Sequence, residues 1–198
     1  MEKNQSAEIQ SDIWQIALEY LKDVCYMVAG VVLLFSFCIR LVVVSGESMY
    51  STLYDGDYLL LIDRNLCGEL EQGDIVVAAM ERFRDGSPIV KRVIATEGQT
   101  VDIDFREGAV YVDGVQIHEP YIHELTHLAE GMQFPVTVEE GCLFLMGDNR
   151  NDSQDSRYPG IGQVDCREIL GRAVFLMIPG TNKGTEAFEF GRIGGLGT

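Results

Sequence analysis

The sequence predicts a mostly β protein, an antiparallel barrel or folded sheet, preceded by one N-terminal transmembrane helix. Three features carry that expectation. One long apolar run occurs, Val24 to Ile39, 16 residues without a charge. After Val44, β-branched and aromatic runs of strand length recur between glycine-containing turns. No helical stretches alternate with those runs, which argues against a parallel sheet of βαβ units.

The apolar run sets the first boundary. Sixteen helical residues span roughly 24 Å, against a hydrocarbon core of about 30 Å. The segment IALEYL before the run can lengthen the helix, and Arg40 after it can snorkel to the far interface. The anchor is therefore expected over 23–44, behind a short tail at 1–22. A core helix is disfavoured by apolarity on every face. A cleaved signal peptide is disfavoured by the acidic tail and by the lack of an A-x-A site after the run. Lys3 and Lys22 against Arg40 leave the orientation open.

The strands follow in order. YLLLI ends at Asp63, GDIVVAAM follows a Gly-Asp turn, and PIVKRVIAT is a third run. TVDIDFREGAVYVDGVQI reads as two strands joined at Arg106-Glu107-Gly108, with a further turn at Asp113-Gly114. GCLFLMGD and GRAVFLMI complete the set, and GRIGGLGT reads as a frayed end. Two stretches break the pattern. EPYIHELTHLAEGMQFP has room for one short helix between Pro120 and Pro135, and GDNRNDSQDSRYPGIG is too polar for a core.

Composition excludes several functions. A net charge of −16 leaves no basic face for nucleic acid or for anionic lipid headgroups. Contact with a lipid bilayer must therefore come from the apolar run. Of the five cysteines, Cys25 and Cys38 lie in that run as small hydrophobes. Cys67, Cys142 and Cys166 lack C-x-x-C spacing, so a zinc knuckle is not expected, while a disulfide between two of them stays open.

Two stretches compete for chemistry. HELTH, His123 to His127, has the spacing of a zinc-peptidase helix. That reading needs a helix longer than Pro120 and Gly131 allow, and a third ligand downstream, where no histidine follows. No metal is expected. The other stretch, GESMYSTL, puts Ser48 at a turn where a strand leaves the anchor. Serine needs a base, and lysine serves if burial lowers its pKa towards neutrality. Lys91, among Ile89, Val90, Val93 and Ile94, meets that demand, with Arg92 on the opposite face of the strand. In GDNRNDSQDSR, Asp148, Arg150, Asp155 and Arg157 can close into ion pairs, and Ser153 or Ser156 can orient the amine. A solvated turn is the alternative, and a calcium loop would need a central glycine that is absent.

GESMYSTL, GDIVV, KRVIATEG and GDNRNDSQDSR, in that order behind one anchor, resemble the signature boxes of the bacterial type I signal peptidases, membrane-anchored serine-lysine endopeptidases. The last box matches G-D-N-R-x-x-S-x-D-S-R at all eight specified positions, and the resemblance runs from about Leu21 to Pro179. It implies Ser48 as nucleophile and Lys91 as general base, with Met49 packed beside Ser48 and Ser153 orienting the amine. Asp148 would pair with Arg92, and Asp155 and Arg157 would hold the loop. It further implies an extracytoplasmic catalytic domain at 45–180, with a variable insertion at about 98–142, a cytoplasmic tail at 1–22 and a C-terminal tail at 181–198. Signal peptides of secreted preproteins would be cut after small residues, near the secretion translocon, with no cofactor. Substrate would lie extended along Ser45, Gly46 and Glu47 and along Ile89 and Val90.

Three positions depart from the family pattern: Ser51 where proline is usual, Ala95 and Gln99 in the lysine box, and Gly46, which has no hydroxyl for an oxyanion. Two rivals share the fold. A non-catalytic assembly factor would lack the serine or the lysine, and both are present. A self-cleaving cytosolic regulator would carry a DNA-binding helix-turn-helix where this chain has its apolar run.

Overall fold

The apolar run lies within one long helix, α1 (Glu2–Phe37), in a computed structural model that describes residues 2–182 and 187–196. From Trp14 to Phe37 this helix provides 24 residues, long and apolar enough to cross a membrane. At 1.5 Å per residue that is about 36 Å, beyond the hydrocarbon thickness that the run alone did not reach. The helix gives way where Ile39 opens a β-branched stretch that favours extended backbone. The last residues of the expected anchor therefore form β1 (Ile39–Val43), and Arg40, expected at a lipid interface, pairs with Asp63 at 2.8 Å.

From Arg40 onward the chain is a second compact unit, almost wholly β. Its strands are β2 (Tyr58–Asp63), β3 (Ile75–Ala78), β4 (Ile89–Thr96), β5 (Thr100–Asp104), β6 (Ala109–Val112), β7 (Val115–Gln116) and β8 (Val136–Thr137). There follow β9 (Cys142–Met146), β10 (Val164–Asp165), β11 (Ile169–Ile178), β12 (Thr181–Asn182), β13 (Ala187–Phe188) and β14 (Gly194–Gly195). The main sheet runs β1-β2-β11-β3-β4-β9-β10, with β14 added to β11. A smaller sheet, β7-β6-β5-β8, carries the two hairpins expected at Gly108 and Gly114. The mostly antiparallel β class holds.

The pattern of β4 explains the core. Every residue from Ile89 to Ala95 is buried, because β4 is central and covered on both faces. Val76, Ile89, Val93 and Leu145 belong to one apolar cluster, whereas Val77, Val90, Met49 and Leu53 belong to another. A third cluster joins Ile94, Phe144 and Met146 of the main sheet to Val101, Ile103 and Val110 of the smaller one. Lys91 and Arg92 are the two charges in this strand, and the pleat sends them opposite ways.

Two expectations change. No helix forms between Pro120 and Pro135, where the described backbone is turns and bends. Positive φ at Glu130 (54°) and Gly131 (105°) breaks any helical path there. The end of the chain is not frayed as far as Leu196. Gly194 and Gly195 pair with Leu176 and Phe175, and Arg192 grips Asp57 at 2.6 Å. Residues 197 and 198 of that expected tail lie outside the described residues. All five cysteines are unbonded.

Candidate active site

Ser48 sits in the turn that follows β1 and precedes β2, with Val44 and Met49 buried on either side of it. The turn is tied by Tyr50 N–H to Glu47 O (2.9 Å) and Leu53 N–H to Met49 O (2.8 Å). Met49 is only 1% exposed and packs with Leu53, Leu61 and Val90. From the far side Arg192 donates to Thr52 O at 2.9 Å and lies over the Tyr54 ring at 3.7 Å. The serine is therefore held by its neighbours' burial. Gly46, before it, has φ of +92°, which a hydroxyl-bearing residue rarely adopts, and its N–H is taken by Asp55 at 2.8 Å.

Lys91 reaches this turn from β4. Its Nζ lies 2.6 Å from Ser48 Oγ and donates to Val90 O at 3.0 Å. At 3% exposure the amine has little water, and burial pushes its pKa down to about 8. The Arg84 charge pushes the same way, while Asp155, Asp148 and Glu130 oppose it. A neutral amine at 2.6 Å can accept the Ser48 proton, whereas an ammonium at that distance could only donate to Oγ and could take no proton from it.

The polar loop after β9 is a lattice of buried charge. Asp148 receives Arg92 Nε at 2.8 Å and Nη2 at 2.7 Å, and Thr52 Oγ1 at 2.5 Å. Arg92 also stacks 3.8 Å from the Tyr121 ring, whose phenol burial pushes up to about 12. Asp155 receives Gly147 N–H at 2.9 Å, Ser153 Oγ at 3.0 Å and the Arg157 guanidinium at 2.8 and 2.9 Å. Arg150 pairs with Glu119 and donates to Thr126 Oγ1 at 3.0 Å. Each of these charges is desolvated, so each needs its partner in place.

Ser153 was expected to orient the Lys91 amine; its hydroxyl donates to Asp155 at 3.0 Å, while the hydrogen bonds of the amine run to Ser48 Oγ and Val90 O. Ser156 turns back to β9, taking Leu145 N–H at 2.9 Å. Gly147 decides how closely the loop approaches Ser48. A Cβ there would stand 2.2 Å from Ser153 Oγ and 2.4 Å from Ser48 O. That close approach lets Asn149 N–H reach Ser48 O at 3.0 Å and Asn149 Nδ2 reach Glu47 O at 3.1 Å.

A cleft of about 600 Å³ opens onto this group. Ser45, Gly46, Glu47 and Ser48 form one wall, and Ile89, Val90 and Lys91 another. β4 pairs with β9 only from Arg92 onward, while Ile89 to Lys91 pair with β3 alone. Among the described residues the second edge of Ile89 to Lys91 therefore pairs with no strand where it borders the cleft.

The HELTH backbone is tied to the polar loop, His123 N–H to Asp148 O at 3.1 Å and His127 N–H to Asn151 Oδ1 at 2.9 Å, but its two imidazoles point to other partners. The His123 ring packs edge-on against Tyr50 at 4.8 Å, and His127 Nδ1 lies 3.0 Å from Phe105 O. Thr126, between them, is the buried residue, held by Arg150 and by Gly108 O at 3.1 Å. Sequence reasoning passed over Gly147 as a contact, Thr52, Glu119, Arg192 and Glu130. Only Gly147 carried a signal, as the first letter of the last box.

The chain matches the family model described as signal peptidase, peptidase S26, over residues 17–178. It belongs to that family. Signal peptidase I of Bacillus licheniformis is 33% identical over 169 residues, covering 81% of this chain and 88% of its own. Signal peptidase I T of Bacillus subtilis strain 168 is 35% identical over 170 residues, 82% of this chain and 86% of that one. The probable signal peptidase I-1 of a Synechocystis strain is 32% identical over 179 residues, 86% of this chain and 87% of its own. As a member of S26 the chain is a serine endopeptidase of the type I signal peptidase class.

Proposed function

We propose that the chain is a membrane-anchored peptidase that removes signal peptides from secreted precursors by a Ser48–Lys91 dyad. One observation carries this reading: the 2.6 Å contact between Ser48 Oγ and an amine whose burial lowers its pKa to about 8. Neutral Lys91 takes the Ser48 proton as Oγ attacks the scissile carbonyl. The resulting ammonium then gives that proton to the departing amine. Water, deprotonated by Lys91 in turn, opens the acyl-enzyme and frees Ser48. The Ser48 N–H, which donates to no group among the described residues, is placed to receive the oxyanion.

The substrate adds a strand along the open edge of Ile89 to Lys91, opposite Ser45 to Glu47, and presents small residues before the cut to the cleft. The Trp14–Phe37 stretch of α1 holds the enzyme in the bilayer, with the β unit on the extracytoplasmic side, near the translocon. Confinement to one plane raises the effective concentration of enzyme and precursor.

The test is cleavage of an A-x-A precursor in detergent, with a chelator throughout, by wild type and Ser48→Ala. Wild-type cleavage that the variant loses is expected, with kcat/KM rising about tenfold from pH 7 to pH 9 as Lys91 deprotonates. Cleavage by Ser48→Ala would sink the dyad. No cleavage by either protein would favour a non-catalytic factor on this fold.

A further inference from the structure

Lys91 faces charges from three elements: Arg84 on the turn between β3 and β4, Asp148 and Asp155 on the polar loop, and Glu130 on the 118–135 connection. Two of the three carboxylates are already neutralised. Asp148 is bidentate with Arg92, and Asp155 with Arg157. Glu130 is different. It lines the same cleft as Ser48 and Lys91, and its Oε2 is buried with no hydrogen-bond partner. A buried carboxylate oxygen left unpaired costs about 1–3 kcal/mol or more, so its placement calls for a reason.

The placement is also enforced. Glu130 has φ of +54°, a left-handed conformation uncommon for a residue with a side chain. Arg157 pins the chain on both sides of it, donating through Nη1 to Leu128 O at 2.9 Å and accepting Met132 N–H at its own carbonyl at 3.1 Å. The groups facing Glu130 are Asp155, Arg157 and Lys91. Burial and the Asp155 charge raise its pKa, and the Arg157 charge, a hydrogen bond from the Asp155 backbone and the Lys91 charge pull it down. The arginine that stabilises Asp155 thus also builds the bulge that turns Glu130 towards the cleft.

We propose that Glu130 is a positioning residue of this site: its carboxylate, which has no ion pair of its own among the described residues, stabilises the Lys91 ammonium formed when Ser48 gives up its proton. The inference rests on the Ser48–Lys91 reading. In the ground state the amine is neutral. As Oγ bonds to the carbonyl carbon the proton passes to Nζ, the positive charge appears beside Glu130, and it disappears when the leaving amine takes the proton. Glu130 itself exchanges no proton and touches no reacting atom.

The experiment is the pH profile of kcat/KM for the full chain in detergent, comparing wild type, Glu130→Gln, Glu130→Asp and Ser48→Ala. Glu130→Gln should move the rising limb of the profile to lower pH by about half a unit and lower the plateau about two- to threefold, because a less stabilised ammonium makes a weaker base. Glu130→Asp, which keeps the charge, should hold the limb nearer that of wild type. If Glu130→Gln does not fold, Asp against Asn at position 130 repeats the comparison one methylene shorter. A limb that stays put when the charge is removed overturns the proposal, including the case where only KM changes. Ser48→Ala separates the two failures: cleavage retained there overturns the dyad itself, and cleavage lost there beside an unmoved limb overturns the role of Glu130 alone.

Discussion

Lys91→Met keeps an unbranched stem of similar length and removes the amine, so it asks what burying that amine costs. Folding lowers the Lys91 pKa from 10.5 to about 8, with burial the largest cause. Those pH units, at about 1.4 kcal/mol each, amount to about 3 kcal/mol of cost to the folded state when the amine is charged. The sign follows from the direction. Between pH 8 and 10.5 the unfolded chain holds the proton more often than the folded one, so wild-type stability rises with pH across that window. Below it the cost is fully present, and above it the cost is gone.

The variant also gives up two hydrogen bonds, to Ser48 Oγ and Val90 O, worth about 1 kcal/mol each. The net expectation is an inactive protein about 1 kcal/mol more stable than wild type at pH 7, a rise in Tm of about 2–4 °C. By pH 9.5 most of the cost of the charge is lifted from wild type, so the advantage vanishes or reverses. The assay is urea unfolding of the full chain in detergent, followed by circular dichroism at several pH values from 6.5 to 9.5. A stability difference that stays constant over that range would mean that Lys91 titrates alike in both states, and the argument for a neutral base would fail.

Two further predictions test the surroundings. Gly147→Ala should lower kcat/KM about a hundredfold while costing about 1–3 kcal/mol of stability, since its Cβ would meet Ser153 Oγ at 2.2 Å and Ser48 O at 2.4 Å; near wild-type cleavage would show that the loop yields without moving the serine. His123→Ala with His127→Ala should leave cleavage within about threefold of wild type in the presence of a chelator, because the two rings contact Tyr50 and Phe105 rather than each other's surroundings. Stoichiometric zinc in the purified protein, lost together with activity in this double variant, would reinstate the metal reading.

Much of the fold is local and so could be read along the chain. α1 is written in an unbroken apolar run, and β2, β4, β5, β6, β9 and β11 in β-branched runs between turns. The failures are also local in origin. HELTH has a helical spacing, but Pro120, Gly131 and the positive φ at Glu130 deny it a helix, and tertiary partners draw its two rings apart. GRIGGLGT looks structureless because glycine pairs contribute nothing to a core, yet as backbone they extend β11.

The same division runs through the site. By itself the sequence determined which residue types stand ready, Ser48 at a turn, Lys91 in an apolar strand and the charges of the polar loop, because those are matters of pattern. Only the tertiary structure decided how they are used. It turned the Ser153 hydroxyl to Asp155 and brought Arg192 across 135 residues to Asp57, behind the Ser48 turn. It also left Glu130 Oε2 without a partner in the cleft. Hydrogen bonds and charge compensation depend on distances between segments far apart in the chain, and no periodicity in a sequence records those distances.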